Sequence, residues 1–152
     1  MTSKYLEQYL GDGGGGQDKM EGKDTLYDVL KAVVDAANAV RESLNGYQAT
    51  AAIAVIAGMV VEKAGVLTDF RIKIATCGGA GTTTVKVYVN AVEKGSLSIA
   101  NDEADGTGKE VALTTVLVEN DVVTIGVTAA ATGGLGLSAT ARIRQTETVA
   151  VR

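Results

Sequence analysis

Residues 116–144 read VLVENDVVTIGVTAAATGGLGLSATARIR, and the alternation of residue types among them indicates how most of the chain folds. Apolar residues alternate with small or polar ones from Val123 to Val127. After the pair Gly133-Gly134 the alternation resumes and continues to Ile143. A period of two is typical of a strand with one buried face, and paired glycines are typical of a turn. The stretch therefore predicts two strands joined by a glycine-rich loop.

The same alternation extends back toward residue 48. The apolar run from Ala52 to Val61 predicts one or two strands, and four further strands follow it. Their inward-facing positions are Phe70, Ile72 and Ile74; Val85, Val87 and Val89; Leu97 and Ile99; and Val111, Leu113, Thr115 and Leu117. Seven or eight strands with one apolar face predict a mainly β protein with a β-sandwich over residues 48–146 and a short tail at 147–152. The long connection at 100–109 favours a crossing topology, the jelly roll.

Composition argues against several classes of function. The 152 residues include 14 basic and 18 acidic side chains, so the formal net charge of −4 predicts no nucleic-acid or anionic-membrane partner. There is no histidine and only one cysteine, Cys77, which predicts no zinc site and no internal disulfide. The start of the chain, MTSKYLEQYL, lacks the pattern of a signal peptide. We expect a structural or binding protein rather than an enzyme, with no cofactor.

Residues 1–22 are predicted to be an N-terminal anchor and linker. Tyr5, Leu6, Tyr9 and Leu10 recur at one-turn spacing, and the glycines at 13–16 form a flexible tether. One interpretation is a docking peptide that becomes ordered only on a partner surface. The alternatives are a frayed terminus, or a segment that folds back on its own domain.

Residues 23–47 are predicted to form an amphipathic helix. Its apolar positions are separated by alternating steps of four and three, which is the heptad pattern of a coiled coil. These positions, the predicted oligomerisation residues, are Leu26, Leu30, Val33, Ala37, Val40, Leu44 and Tyr47. Val29 and Val34 widen the apolar stripe, which favours a coiled coil of three helices over one of two. The alternative is an ordinary amphipathic helix packed on its own sheet.

The acidic loop at 101–106 is similar to the start of a calcium-binding loop. Asn101, Glu103 and Asp105 place oxygen atoms at the first, third and fifth positions, and Gly106 follows. The twelfth position requires a bidentate glutamate but holds Ala112. We therefore interpret the segment as a solvated acidic loop, and no metal site is predicted.

Two other groups of side chains have more ordinary interpretations. Cys77 has no histidine or second cysteine as partner, so it is expected to be a half-buried structural residue. Arg142 and Arg144 would share a face with Arg71 or Lys73 if their strands are neighbours. We interpret these arginines as surface or subunit-interface charges.

Residues 60–100 and 116–144 resemble jelly-roll modules of tailed-bacteriophage virion proteins. The resemblance rests on the turn Lys63-Ala64-Gly65, the turn at Asn90, the turn Asn120-Asp121 and the final strand that ends Arg142-Ile143-Arg144. It implies a head decoration, cement or short head-fibre protein that lies on the capsid surface of the virion and is assembled in the host cytoplasm.

The resemblance also implies partners. Residues 1–22 would bind the major capsid protein, with Tyr5, Leu6, Tyr9 and Leu10 as the contact, and the chain would be a homotrimer. The predicted coiled-coil helix at 23–47, which would form the stalk, is short for a tail fibre, which favours a decoration protein. The alternative function is a receptor-binding or adhesion knob that recognises a host glycan or protein through its outer loops at 78–82, 101–108 and 129–134.

Overall fold

The residues that the structure describes form eight β-strands. The computed structural model describes Leu26, Leu30 and residues 40–145. The strands are β1 Val40–Thr50, β2 Ala54–Val60, β3 Gly65–Lys73, β4 Thr82–Val89, β5 Val92–Ala100, β6 Gly108–Leu117, β7 Val122–Ala129 and β8 Leu135–Gln145. The predicted mainly β fold is confirmed. Among the described residues, no helix is long and apolar enough to cross a membrane.

The strands form two four-stranded sheets, and every neighbouring pair is antiparallel. Sheet A has the order β1-β8-β3-β6, and sheet B has the order β2-β7-β4-β5. The pairs β4–β5, β3–β6, β2–β7 and β1–β8 are nested, as if one long hairpin had been rolled into two layers. This strand order is the jelly-roll connectivity that the long connection at 100–109 favoured.

The core lies between the two sheets and consists of the alternating positions that the sequence indicated. Phe70 and Ile72 of sheet A and Val85, Val87 and Ile125 of sheet B are almost completely buried. The strands bury one face because their apolar side chains all point to the same side of the pleat. The alternation therefore correctly predicted which face of most strands is inside.

The predicted helix at 23–47 is wrong from residue 40 onward. Val40, Leu44 and Tyr47 lie on β1, which pairs with β8 along its whole length. Leu44 is 8% exposed and packs in the core, whereas Tyr47 is 67% exposed on the outer face of sheet A. The physical reason is that β8 supplies backbone partners for β1, while a helix would leave that edge of β8 unpaired. The sandwich therefore begins at residue 40 rather than at 48.

Only part of the predicted stalk falls within the described residues. Leu26 and Leu30 are helical, and Leu30 is 49% exposed. Val33 and Ala37 lie outside the described residues, as do the anchor residues Tyr5, Leu6, Tyr9 and Leu10 and the tail at 147–152. The roles predicted for them stay predictions.

The two ends of the sandwich differ in what they carry. At the end that we call proximal, β1 begins beside the end of β8, because Val40 pairs with Gln145. The β2–β3, β4–β5 and β6–β7 turns lie at this same end. At the opposite, distal end lie the β1–β2, β3–β4, β5–β6 and β7–β8 connections. The chain therefore enters and leaves the sandwich at the proximal end.

Candidate functional site

The distal end brings together the three outer loops that the sequence singled out. The Gly79 N–H donates to the Thr132 carbonyl at 2.8 Å, and the Thr132 N–H donates to the Ala80 carbonyl at 2.8 Å. The Asn101 N–H donates to the Gly81 carbonyl at 3.1 Å. Loops 78–82, 101–108 and 129–134 therefore form one continuous, hydrogen-bonded surface.

Within this surface, the oxygens of the calcium-like loop serve as hydrogen-bond acceptors that close the loop. Glu103 Oε1 accepts from the Ala100 N–H at 2.9 Å and from Lys109 Nζ at 2.6 Å. The Lys109 hydrogen bond, followed by the backbone one, lowers the pKa of Glu103. Asp105 Oδ1 accepts from the Cys77 N–H at 2.8 Å. Asn101 Nδ2 donates to the Gly79 carbonyl, in the β3–β4 loop, at 3.4 Å.

Asn101, Glu103 and Asp105 are thus directed at four different partners and do not converge. No group of three or more acidic, histidine or cysteine side chains within the described part of the chain is arranged to hold a metal ion. In the structure, the carboxylates of Glu103 and Asp105 accept hydrogen bonds from Lys109 and from two backbone N–H groups.

Cys77 joins the β3–β4 loop to the acidic loop. Its thiol donates to the Ala104 carbonyl at 3.3 Å, and its side chain is 1% exposed. Burial, with the nearby carboxylates of Asp105 and Glu103, raises the pKa of the Cys77 thiol. The residue is more deeply buried than predicted, and a protonated, buried thiol is a poor nucleophile. Cys77 is therefore a structural residue of the distal end.

At the proximal end, a side-chain clamp joins two turns. Asn90 Nδ2 donates to Asp121 Oδ1 at 2.7 Å, and Asn90 Oδ1 accepts from the Val122 N–H at 2.9 Å. Asp121 Oδ2 accepts from the Val118 N–H at 2.8 Å. The sequence identified Asn90 and Asn120-Asp121 only as turns. Their pairing depends on β4 and β7 being neighbours, which no local pattern reveals.

The clamp predicts a pH-dependent contribution to stability. The Val118 N–H, and then the Asn90 amide, lower the pKa of Asp121. A lowered folded-state pKa means that the carboxylate stabilises the fold above its unfolded pKa of about 3.9, and that this stabilisation disappears as the pH falls through the folded value. The variant Asp121→Asn should lower the melting temperature at pH 7 by roughly 4–8 °C.

The measurement is thermal unfolding of both proteins from neutral pH to below pH 3. The gap in melting temperature between wild type and Asp121→Asn should narrow at the acid end. Asp102→Asn, at an exposed residue of the distal loop, is the control and should show little change at any pH. A gap of constant size across the whole range would contradict the role of the charged carboxylate.

The proximal end also exposes a group of apolar side chains around this clamp. We call it the valine patch, and its members are Val60, Val92, Val118 and Val122. Val60 pairs with Val122 across β2 and β7, and Val118 is hydrogen-bonded to Asp121. The clamp therefore fixes the turns that present these valines.

The outer face of sheet A is rich in charge. Because β8 and β3 are neighbours, Arg142 lies opposite Asp69, and the face that holds Arg142 and Arg144 also holds Arg71 and Lys73. The sequence predicts that these cations share a face if their strands are neighbours, and β3 and β8 are neighbours. Arg71 Nε lies 3.1 Å from Asp69 Oδ1 and Arg142 Nε lies 3.7 Å from the same atom. Exposed ion pairs of this kind contribute little to stability.

Comparison with known proteins found no matching family model and no matching curated protein. Among solved structures, the chain is similar to a Bacillus endospore appendage pilus protein, with 16% identity, a TM-score of 0.40, and coverage of 72% of this chain and 89% of that one. It is also similar to a family 35 carbohydrate-binding module from Clostridium thermocellum, with 14% identity, a TM-score of 0.37, and coverage of 72% and 93%.

A third similarity is to a Paenibacillus cycloisomaltooligosaccharide glucanotransferase complexed with cycloisomaltoheptaose. It has 13% identity and a TM-score of 0.31, and it covers 70% of this chain but 18% of the enzyme. At these identities and TM-scores the comparisons carry no argument about function.

Proposed function

We propose that this chain is a structural protein of a tailed-phage virion, which decorates or projects from the capsid as a head decoration, cement or short head-fibre protein. The supporting observation is the proximal end of the sandwich. There the N-terminal segment joins β1 at Val40, and there the valine patch is exposed. A domain that is attached at an end where it also exposes apolar side chains is suited to sit on a larger surface and to present its other end outward.

The anchor is residues 1–22, which bind the major capsid protein through Tyr5, Leu6, Tyr9 and Leu10. The glycines at 13–16 let this short peptide reach its site while the sandwich packs nearby. Removing exposed apolar groups from water lowers the free energy, so the valine patch adds a second contact with the capsid. Together these contacts cover gaps between capsomers and oppose the pressure of packaged DNA.

Self-association strengthens such attachment. Leu26 and Leu30 are helical, and Leu30 is about half exposed in a single chain, as expected for a residue of a coiled-coil seam. We propose a homotrimer joined through the helical part of the predicted stalk. Three linked anchors bind more tightly than one because the second and third contacts are intramolecular.

The test is binding to capsid shells from which the protein has been left out. The full chain should cosediment with the shells, and a variant lacking residues 1–16 should lose binding while keeping its circular dichroism spectrum. A matched pair refines the test. Leu6→Asp with Leu10→Asp should abolish binding, whereas Glu7→Gln with Gln8→Glu on the same peptide should retain it.

Light scattering completes this experiment. The full chain should have three times the 15.5 kDa mass of one chain, and the deletion variant should have three times its own. Full retention of binding by the deletion variant would refute the anchoring role. A monomeric full chain would refute the trimer.

The alternative function is an adhesion or receptor-binding knob. Its supporting observation is that the three distal loops are hydrogen-bonded into one surface at the end opposite to chain entry. Purified protein on an array of host glycans tests it. Binding that persists after removal of residues 1–16, and that is lost when loop 101–108 is altered, would favour adhesion over decoration.

A further inference from the structure

The outer face of sheet A has a charge opposite to that of the whole chain. The chain has a formal net charge of −4. The outward positions of this sheet nevertheless carry more cations than anions: Arg41, Arg71, Lys73, Arg142 and Arg144 against Asp69 and Glu110. A cationic face on an acidic protein attracts an anionic ligand. On this face, the pair Arg41–Arg144 lies next to the proximal end, where Val40 pairs with Gln145.

Two of these cations are placed where they destabilise the free protein. Arg41 and Arg144 are directly opposite each other on β1 and β8. Within residues 40–145 neither arginine has an ion-pair partner, whereas Arg71 and Arg142 both contact Asp69. Like charges directly opposite on neighbouring strands are unfavourable. An anion bound between the two guanidinium groups would remove this repulsion.

The paired arginines line a groove rather than a flat surface. Its volume is about 460 Å³, and it is lined by three arginines and two carboxylates, together with Ser43, Thr68 and Ile143: Arg41, Arg142, Arg144, Glu42 and Asp69. This volume is within the range of about 300–1,000 Å³ typical of small-ligand sites. A groove of this size accommodates a sugar ring or two, and it is too confined for the broad contact of a protein partner.

Asp69 gives the groove a second chemical requirement. Its carboxylate accepts from Thr68 Oγ1 at 3.1 Å and from Arg71 Nε at 3.1 Å, which fixes it within the basic groove. A carboxylate is an acceptor for hydroxyl donors and repels a dianion more than a monoanion. The preferred ligand therefore combines one singly charged acid group with several hydroxyl groups.

We propose that this groove binds the uronic acid units of an acidic polysaccharide. The uronate carboxylate lies between Arg41 and Arg144, whose guanidinium groups suit carboxylate geometry. The sugar hydroxyls donate to Asp69 and accept from Ser43. This site does not depend on capsid attachment, and it is distinct from the loops of the adhesion alternative.

A neighbouring depression provides space for the next unit of the polymer. It has a volume of about 340 Å³ and lies on the same sheet face, lined in part by Lys73, Ser138 and Thr140. Tyr47 lies opposite Ser138 and presents an exposed ring beside it. Such a ring offers an apolar surface with a polar tip, which suits one face of a sugar.

The test is calorimetric titration of the full chain with a galacturonic acid oligomer. A neutral galactose oligomer of the same length, poly-glutamate and inorganic phosphate are the comparison probes. The uronate oligomer should bind, with an affinity that falls as salt is raised, and the neutral oligomer should not. Arg144→Gln should weaken binding about 10- to 100-fold, because one charge-assisted contact is lost. Lys86→Gln, on the outer face of sheet B, should bind like the wild type.

Thermal unfolding without ligand separates binding from a structural role. Arg144→Gln should melt at or above the wild-type temperature, because it removes the repulsion with Arg41. The proposal is overturned if the uronate oligomer does not bind, if Arg144→Gln binds as well as the wild type, or if the neutral oligomer binds equally. Tighter binding of poly-glutamate or phosphate would overturn it as well, in favour of an acidic peptide or a phosphate group. Capsid cosedimentation of Arg144→Gln should be unchanged, so this proposal and the capsid proposal can fail separately.

Discussion

Replacing Phe70 by alanine should lower the free energy of unfolding by about 3–5 kcal/mol. Phe70 is 0% exposed and lies at the centre of sheet A, where β3 pairs with both β6 and β8. Truncation removes the ring from the interior and leaves a cavity, because the two sheets are held apart by their other side chains. Domains of this size are stable by only about 5–15 kcal/mol, so the loss is a large fraction of the total.

Urea unfolding of the purified chain measures this effect. Val116→Ala is the matched control, because Val116 is 73% exposed on the outer face of β6 in the same sheet. Its effect should be within about 0.5 kcal/mol. Equal transition midpoints for the Phe70 and Val116 variants would contradict the placement of Phe70 between the sheets.

Replacing Gly78 by alanine should be the second most damaging of the proposed changes. The φ angle of Gly78 is 94°, a left-handed conformation that costs other residues about 1–3 kcal/mol. A Cβ atom there would also lie 2.6 Å from the Thr132 carbonyl oxygen and 2.9 Å from the Gly134 nitrogen. Both of these are backbone atoms of the β7–β8 loop. The substitution must therefore push two distal loops apart.

Gly106→Ala provides the control for this prediction. Gly106 has a similar φ of 82°, but a Cβ atom there would meet nothing within 4 Å. Its variant should lose only the conformational part, so the difference in unfolding free energy between the two variants reports the contact with Thr132 and Gly134. The same loss in both variants would show that the loops are not packed at Gly78.

The loop at 101–106 shows how much the spacing of oxygen-bearing side chains can predict about metal binding. Asn101, Glu103 and Asp105 have the spacing of metal ligands, and the sequence could reject the site only because Ala112 replaces the final glutamate. In the structure, Lys109 and two backbone N–H groups donate hydrogen bonds to the two carboxylates. Whether an oxygen is free depends on contacts from other strands, which spacing does not contain.

The sequence predicts only part of the groove that Arg41, Arg142 and Arg144 line. The alternation along the last strand correctly placed Arg142 and Arg144 on one outward face. The sequence does not indicate that Arg41 joins them, because its apolar spacing predicts a helix at residue 41. The cross-strand pairing of Arg41 with Arg144 follows from the β1–β8 register, and that register is a long-range property.

Strands β2 to β8 can be predicted from the amino-acid pattern alone, because a period-two pattern bounded by glycine turns is local information. The first strand, β1, depends instead on long-range contacts. Its inward positions include a glutamate and a glycine, Glu42 and Gly46, so its alternation is hidden, while the spacing of its apolar residues also fits a heptad. A Cβ atom at Gly46 would lie 2.7 Å from Ile56 Cγ1, so the side chain from β2 occupies the space that β1 leaves empty. That contact and the backbone pairing with β8 favour a strand at residues 40–50, and neither can be read from these residues alone.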